Sequence, residues 1–351
     1  METLHSVEMS VGVFGRAHCS LTRGLGMRYL PCVLFFLLGS GVGLAETLNE
    51  QVSRLITKGN FAEAEPLARQ AVEENSRLHG ADHPEMVSSL LNLADIYQAQ
   101  DRLEESVTVY KRALTIVEDL SGPDHPDTAL VMGGLAESYQ LQGKYDDAEP
   151  LFKGALAICE KALGPDHLYS APILINLALL YEEQQKWPEA EVLCVRLLGI
   201  GEKQFGPTSG ETATKLNNLA LNQIWQGKYD SAEPLLKRAI SIDETVLGAE
   251  DPGTATEIGN LGKCYRGQGK HDEADRLFRR TLAIHEKAFG PDDIRTAHDV
   301  EDLAISLDEQ GKHEEASPLY RRAVAIYENE LGKTHWRTVK VRRLMDAMPS
   351  K

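Results

Sequence analysis

Histidine is the residue type whose spacing first suggests chemistry. His83, His125, His167 and His335 stand 42 residues, or a multiple of 42, apart. A zinc centre needs ligand atoms converging to within about 2 Å of one point. Residues on neighbouring helix pairs lie roughly a helix diameter, about 10 Å, apart. These four therefore cannot share a metal, and a role at helix entry is expected. His271, His285, His298 and His313 show no HExxH-type spacing. Ser170, Ser209 and Ser231 have no glycine elbow around them, and the abundant carboxylates fall at periodic positions that read as solvent-facing. No GxGxxG follows a strand, no phosphate-binding loop occurs, and no strand pattern exists to hold either. The expectation is a chain with no catalytic residues, no metal and no cofactor.

The elements behind those positions repeat. Glycine stands at Gly80, Gly122, Gly164, Gly206, Gly248, Gly290 and Gly332, an unbroken 42-residue period. A fixed period of this size marks an array of supersecondary units. In the copy from Gly122, Pro126 suits a first helical position. Met132, Leu135, Ala136 and Tyr139 then recur at the spacing of one helix face. Gly143 ends that helix, because glycine reaches left-handed dihedrals without a Cβ clash. A second helix runs from about Tyr145, with Ala148, Leu151, Phe152, Ala155 and Ile158 inside. The turn glycine returns as Gly59, Gly227, Gly269 and Gly311, replaced by Asp101 and Gln185. Small residues early in the second helix (Ala64, Ser106, Ala148, Ala190, Ala232, Ala274 and Ala316) read as close helix packing.

Leu135-Ala136, Tyr139, Gly143-Lys144-Tyr145, Ala148, Phe152, Ala155 and the Gly-Pro-Asp-His-Pro connector resemble the tetratricopeptide repeat, in the 42-residue variety of kinesin light chains. The resemblance implies an all-α right-handed superhelix, or solenoid: about seven repeats over residues 46–334, with a capping helix and tail over 335–351. No heptad coiled coil precedes the repeats, so a motor subunit is not supported. In the family, first helices line a concave groove, and an asparagine before the Leu-Ala pair holds a peptide main chain. An amide suits that task because it both donates and accepts. Here the position carries Asn92, Asn176, Asn218 and Asn260, with Asn217 alongside, while Gly134 and Asp302 break the ladder. Leu91, Ile175, Leu179, Leu221, Ile224 and Trp225 make the middle apolar; Lys263 and Arg266 are its clear bases. The several Lys/Arg with which chaperone-binding relatives clamp a terminal carboxylate are absent. Trp225 is the expected anchor, since buried aromatics dominate interface energetics.

Residues 1–45 lie outside the repeat. Arg23 and Arg28 precede an apolar run from Leu30 to Leu38 that fades into small residues ending at Ala45. This pattern reads as a signal peptide cut before Glu46, with Met27 an alternative start. The run is short for a bilayer span. The formal net charge of −16 disfavours nucleic acid. Of five cysteines, Cys159, Cys194 and Cys264 would survive cleavage; their spacing suggests neither a disulfide framework nor a zinc site. The resulting expectation is a periplasmic or secreted scaffold for a protein or peptide partner, with self-association possible. The sequence leaves open a solute-binding or enzyme-supporting subunit, tethering by an uncleaved N-terminus, and a cytoplasmic adaptor.

Overall fold

A computed structural model describes residues 47–348; the expected signal peptide lies outside them. The described residues form fifteen helices and no strand. By repeat register the first helices are α1 (Leu48–Thr57), α3 (Pro84–Ala99), α5 (Pro126–Leu141), α7 (Ser170–Glu183), α9 (Gly210–Trp225), α11 (Pro252–Gly267) and α13 (Ile294–Glu309). The second helices are α2 (Phe61–His79), α4 (Leu103–Ser121), α6 (Tyr145–Leu163), α8 (Trp187–Phe205), α10 (Tyr229–Val246), α12 (His271–Phe289) and α14 (His313–Leu331), and α15 (Trp336–Ala347) follows. The chain divides between Gln184 and Gln185 into two units, the first holding α1–α7 and the second α8–α15.

Each helix starts and stops for a local reason. The Nδ1 of His83, His125 and His335 accepts the N–H two residues on, at 3.2–3.3 Å, and so caps α3, α5 and α15. His167 makes the same bond to Tyr169, but α7 begins only at Ser170. The connector histidines therefore serve helix entry. Among the turn positions, Asp101 and Gln185 keep φ at 62° and 57°, the left-handed region that glycine holds elsewhere (74° at Gly143). The flanking helices impose that turn even where a Cβ is strained.

A further closure was not evident from the sequence. Thr128, Thr212, Thr254, Thr296 and Thr338 each donate a hydroxyl hydrogen bond to the carbonyl of the stop glycine six residues back, at 2.7–2.9 Å. This satisfies a carbonyl at each connector that the preceding helix leaves unpaired.

Inside each unit, every small residue of the second-helix column, from Ala64 to Ala316, is fully buried. Ser106, the exception in type, donates to the Ala94 carbonyl at 3.0 Å, so its hydroxyl is buried satisfied. Cys159, Cys194 and Cys264 are buried, and none of the three is in a disulfide. The expectation of purely solvent-facing carboxylates needs correcting. Glu65, Glu191 and Glu233 bind Arg102, Lys228 and Lys270 of the following turn at 2.8, 2.6 and 3.3 Å. These acids clamp successive repeats together, and Lys237 with its neighbours holds Glu233 down at about 2.

Candidate functional site

The expected binding residues lie on first helices, and the two units treat them differently. In the first unit Asn92, on α3, is 2% exposed and so is buried rather than presented outward. Asn176 donates to the Glu137 carboxylate at 3.4 Å, bridging α7 to α5. On the same face the Tyr110 hydroxyl donates to Asp95, whose carboxyl is pushed up to about 7 by burial, with Glu137 nearby adding to the rise. The break in the ladder at Gly134 has a steric cause: a Cβ there would stand 2.4 Å from the Tyr110 ring.

In the second unit Asn260 is buried and donates to Asn217 at 2.9 Å, joining α11 to α9. Asn218, one residue on, is exposed. Leu221 is half-buried, and Trp225 at the end of α9 is 52% exposed. The Trp225 indole lies almost parallel to that of Trp187, with ring centroids 5.8 Å apart and planes 11° from parallel. Sequence reading did not single out Trp187. Its signal was available, since it occupies the second-helix start where Tyr145 and Tyr229 stand in other copies.

The two bases of this face are both committed. Lys263 meets Asp302 at 3.1 Å and Arg266 meets Glu309 at 3.6 Å, each pair linking α11 to α13. His298 on α13 is held near 3 by burial, with Arg337 and Lys263 adding to the depression, so it stays neutral. The second-unit face thus presents a half-exposed indole stack, an exposed amide and paired charges.

Among the described residues, His79, His83 and Glu85 form the one group whose metal-type ligand atoms lie within 4.8 Å of one another. His83 already accepts the Glu85 N–H through Nδ1, which puts the neutral ring's proton on Nε2. Either nitrogen would have to give up its present state to hold an ion, so this group reads as a helix cap.

The tetratricopeptide repeat profile matches residues 44–119, 85–153, 127–203, 211–287 and 257–329. Comparison with curated proteins finds no match. Among solved structures the chain is similar to BtubC (BKLC) from P. vanneervenii, with 24% identity and a TM-score of 0.57 over 66% of this chain and 92% of that one. It is similar to the apo form of RapI, at 14% identity and a TM-score of 0.65 over 87% and 81% of the two chains. It is also similar to a Rap protein complexed with Competence and Sporulation Factor, at 14% identity and a TM-score of 0.51 over 86% and 87%. The likenesses establish the fold, and the five profile matches along the array establish more: this chain belongs to the tetratricopeptide repeat family.

Proposed function

We propose that the protein is a non-catalytic scaffold, exported by way of residues 1–45, that binds an extended segment of a protein partner on its first-helix face. The observation that carries this reading is the half-exposed Trp225, stacked on Trp187 beside exposed Asn218. An aromatic anchor with an amide alongside suits an extended chain, because the indole takes an apolar side chain and the amide pairs with main chain. Lys263 and Arg266 are neutralised by their own acids, which argues against an acidic ligand, and the net charge of −16 favours a partner with basic flanks. The Rap complex with Competence and Sporulation Factor is a precedent for ligand binding on this fold. No helix among the described residues is long and apolar enough to cross a membrane.

The test is affinity capture with the chain from Glu46 onward, run beside Trp225→Ala and Asn218→Ala. A specific protein recovered by the parent chain and lost from both variants supports the reading. Recovery indifferent to both substitutions removes the binding face from it. Sequencing the N-terminus of the chain made in its own host checks export, with a start at Glu46 as the expected result.

A further inference from the structure

One position near the end of the second helices is glutamate in six copies: Glu118, Glu160, Glu202, Glu244, Glu286 and Glu328. In α2 it is Ser76. Within the second unit, each of these glutamates that is followed by another second helix pairs with an arginine on that helix. Glu202 meets Arg238 at 2.7 Å, Glu244 meets Arg280 at 3.0 Å and Glu286 meets Arg322 at 2.6 Å. The same arginines donate to the connector carbonyls of Pro207, Ala249 and Pro291. At the α2–α4 junction of the first unit the arginine is kept as Arg112 but its acid is replaced by Ser76, whereas at the α4–α6 junction Glu118 is kept and the arginine is replaced by Gly154. Among the described residues neither Arg112 nor Arg77 forms an ion pair.

These residues border one open cavity of about 520 Å³ between α2 and α4. Arg69, Arg77 and Arg112 line it with Ser76; Glu73 is its one carboxylate and Leu93 contributes apolar wall. Arg69 spends part of its guanidinium on Glu65 at 2.9 Å, which leaves Arg77 and Arg112 as uncommitted donors. Three guanidiniums facing one carboxylate is a local surplus of positive charge in a chain whose formal net charge is −16.

We infer that this cavity is an oxyanion site that takes phosphate or a phosphate monoester group, held by Arg112 and Arg77 with the Ser76 hydroxyl as a third donor. The planar guanidinium fork matches the oxygens of a phosphoryl group, and such charge-assisted bonds are about twice as strong as neutral ones. A phosphate returns to the junction the negative charge that glutamate supplies in the other copies. Serine in place of glutamate also removes the carboxylate that would compete for Arg112. The site lies on second helices and is independent of the first-helix binding face. Its arginines are solvent-exposed, so binding should weaken as salt rises.

The experiment uses the chain from Glu46 onward, with calorimetric titration of inorganic phosphate and, separately, of glycerol phosphate at constant ionic strength. Ser76→Glu installs the residue that six other copies carry and should fold normally; Arg112→Gln removes the main donor. The expected result is saturable binding of one oxyanion per chain, weakened about tenfold or more in both variants, as follows from losing one charge-assisted contact. Binding of both probes extends the site to phosphate carried on a larger molecule; binding of inorganic phosphate alone assigns it to the free ion. No saturable binding of either probe to the parent chain, or equal binding by Ser76→Glu, overturns the proposal.

Discussion

Trp187, at the first position of α8, and Trp225, at the last position of α9, stack with ring centroids 5.8 Å apart and planes 11° from parallel. The contact places a second indole behind the one that faces solvent, so the exposed ring is held by a partner instead of by its own rotamer. An aromatic pair of this kind contributes about 0.5–1.5 kcal/mol beyond its buried area. A double-mutant cycle with Trp187→Ala and Trp225→Ala, read by chemical unfolding, should return a coupling energy in that range. Near-UV circular dichroism should lose the coupled-indole signal in either single variant. Additive effects on stability would mean that the two rings do not support one another in solution.

Gly133 and Gly134 are neighbours in α5 with opposite surroundings. A Cβ at Gly133 would meet only Ile173 Cγ1 at 3.8 Å, an ordinary contact, whereas one at Gly134 would stand 2.4 Å from Tyr110. Helix propensity alone favours alanine over mid-helix glycine by about 1 kcal/mol. Gly133→Ala should therefore raise stability by up to about 1 kcal/mol. Gly134→Ala should lower it by about 1–3 kcal/mol, the usual cost of overpacking, because Tyr110 is buried and its hydroxyl is tied to Asp95. Thermal melts of the two variants check the sign reversal; a shift in the same direction for both would refute the steric account.

These glycines also mark where sequence reading reaches its limit. The break in the asparagine ladder at Gly134 was legible, but its cause, a tyrosine from the preceding second helix, was not. Features set within one helical turn came through: the period, the stop glycines, the capping histidines and the buried alanine column. Asp101 and Gln185 were legible as departures from glycine, and the backbone holds both in the glycine conformation. What periodicity could not give is pairing between copies. Asn260 with Asn217, Lys263 with Asp302 and Arg266 with Glu309 depend on how far each helix pair is rotated from the last. That rotation is a property of packing, so the same asparagine is outward at Asn218 and buried at Asn92 and Asn260.

The end of the second unit depends on one acid. Glu301 is 3% exposed and receives Lys340 at 2.9 Å, Arg337 at 3.4 Å and the Tyr327 hydroxyl at 2.8 Å. Burial opposes its charge, but Lys340 and Arg337 outweigh burial and keep the carboxyl below its ordinary value. Its contribution is thus present above the unfolded carboxyl's range and lost as pH falls through the folded value. Removing one member of a buried pair costs about 3–5 kcal/mol when the other charge stays buried. The bases here can partly return to water, so Glu301→Gln should fall at or below the lower end. Hydrogen exchange should show α15 losing protection first; unchanged protection over 336–347 would separate the cap from Glu301.

One junction of the second unit carries two acids where its neighbour carries a base and an acid. Asp243 on α10 and Glu257 on α11 are 6% and 4% exposed, and the charge of Asp243 acts directly on Glu257. One repeat on, the same two positions are His285 and Asp299, 2.6 Å apart. Burial, then the Asp243 charge, pushes Glu257 up to about 8, so it holds a proton in the folded chain that the unfolded chain releases near 4.5. The folded state therefore binds the extra proton between those values, and stability falls as pH rises across that window. His285 adds a slope of the same sign: burial works against its charge, but Asp299 outweighs burial and raises it, and that stabilisation is lost as pH climbs through the folded value. Glu257→Gln supplies a permanently neutral donor to Asp243 and leaves His285 untouched, so the difference between the parent and variant curves isolates the acid pair. The melting temperatures should nearly coincide at pH 5 and diverge steadily, the variant standing several degrees higher at pH 8, because a carboxyl that keeps its proton up to about 8 forfeits on the order of 3 kcal/mol across that window. Parallel curves from pH 5 to 9 would show that Asp243 and Glu257 do not share a proton.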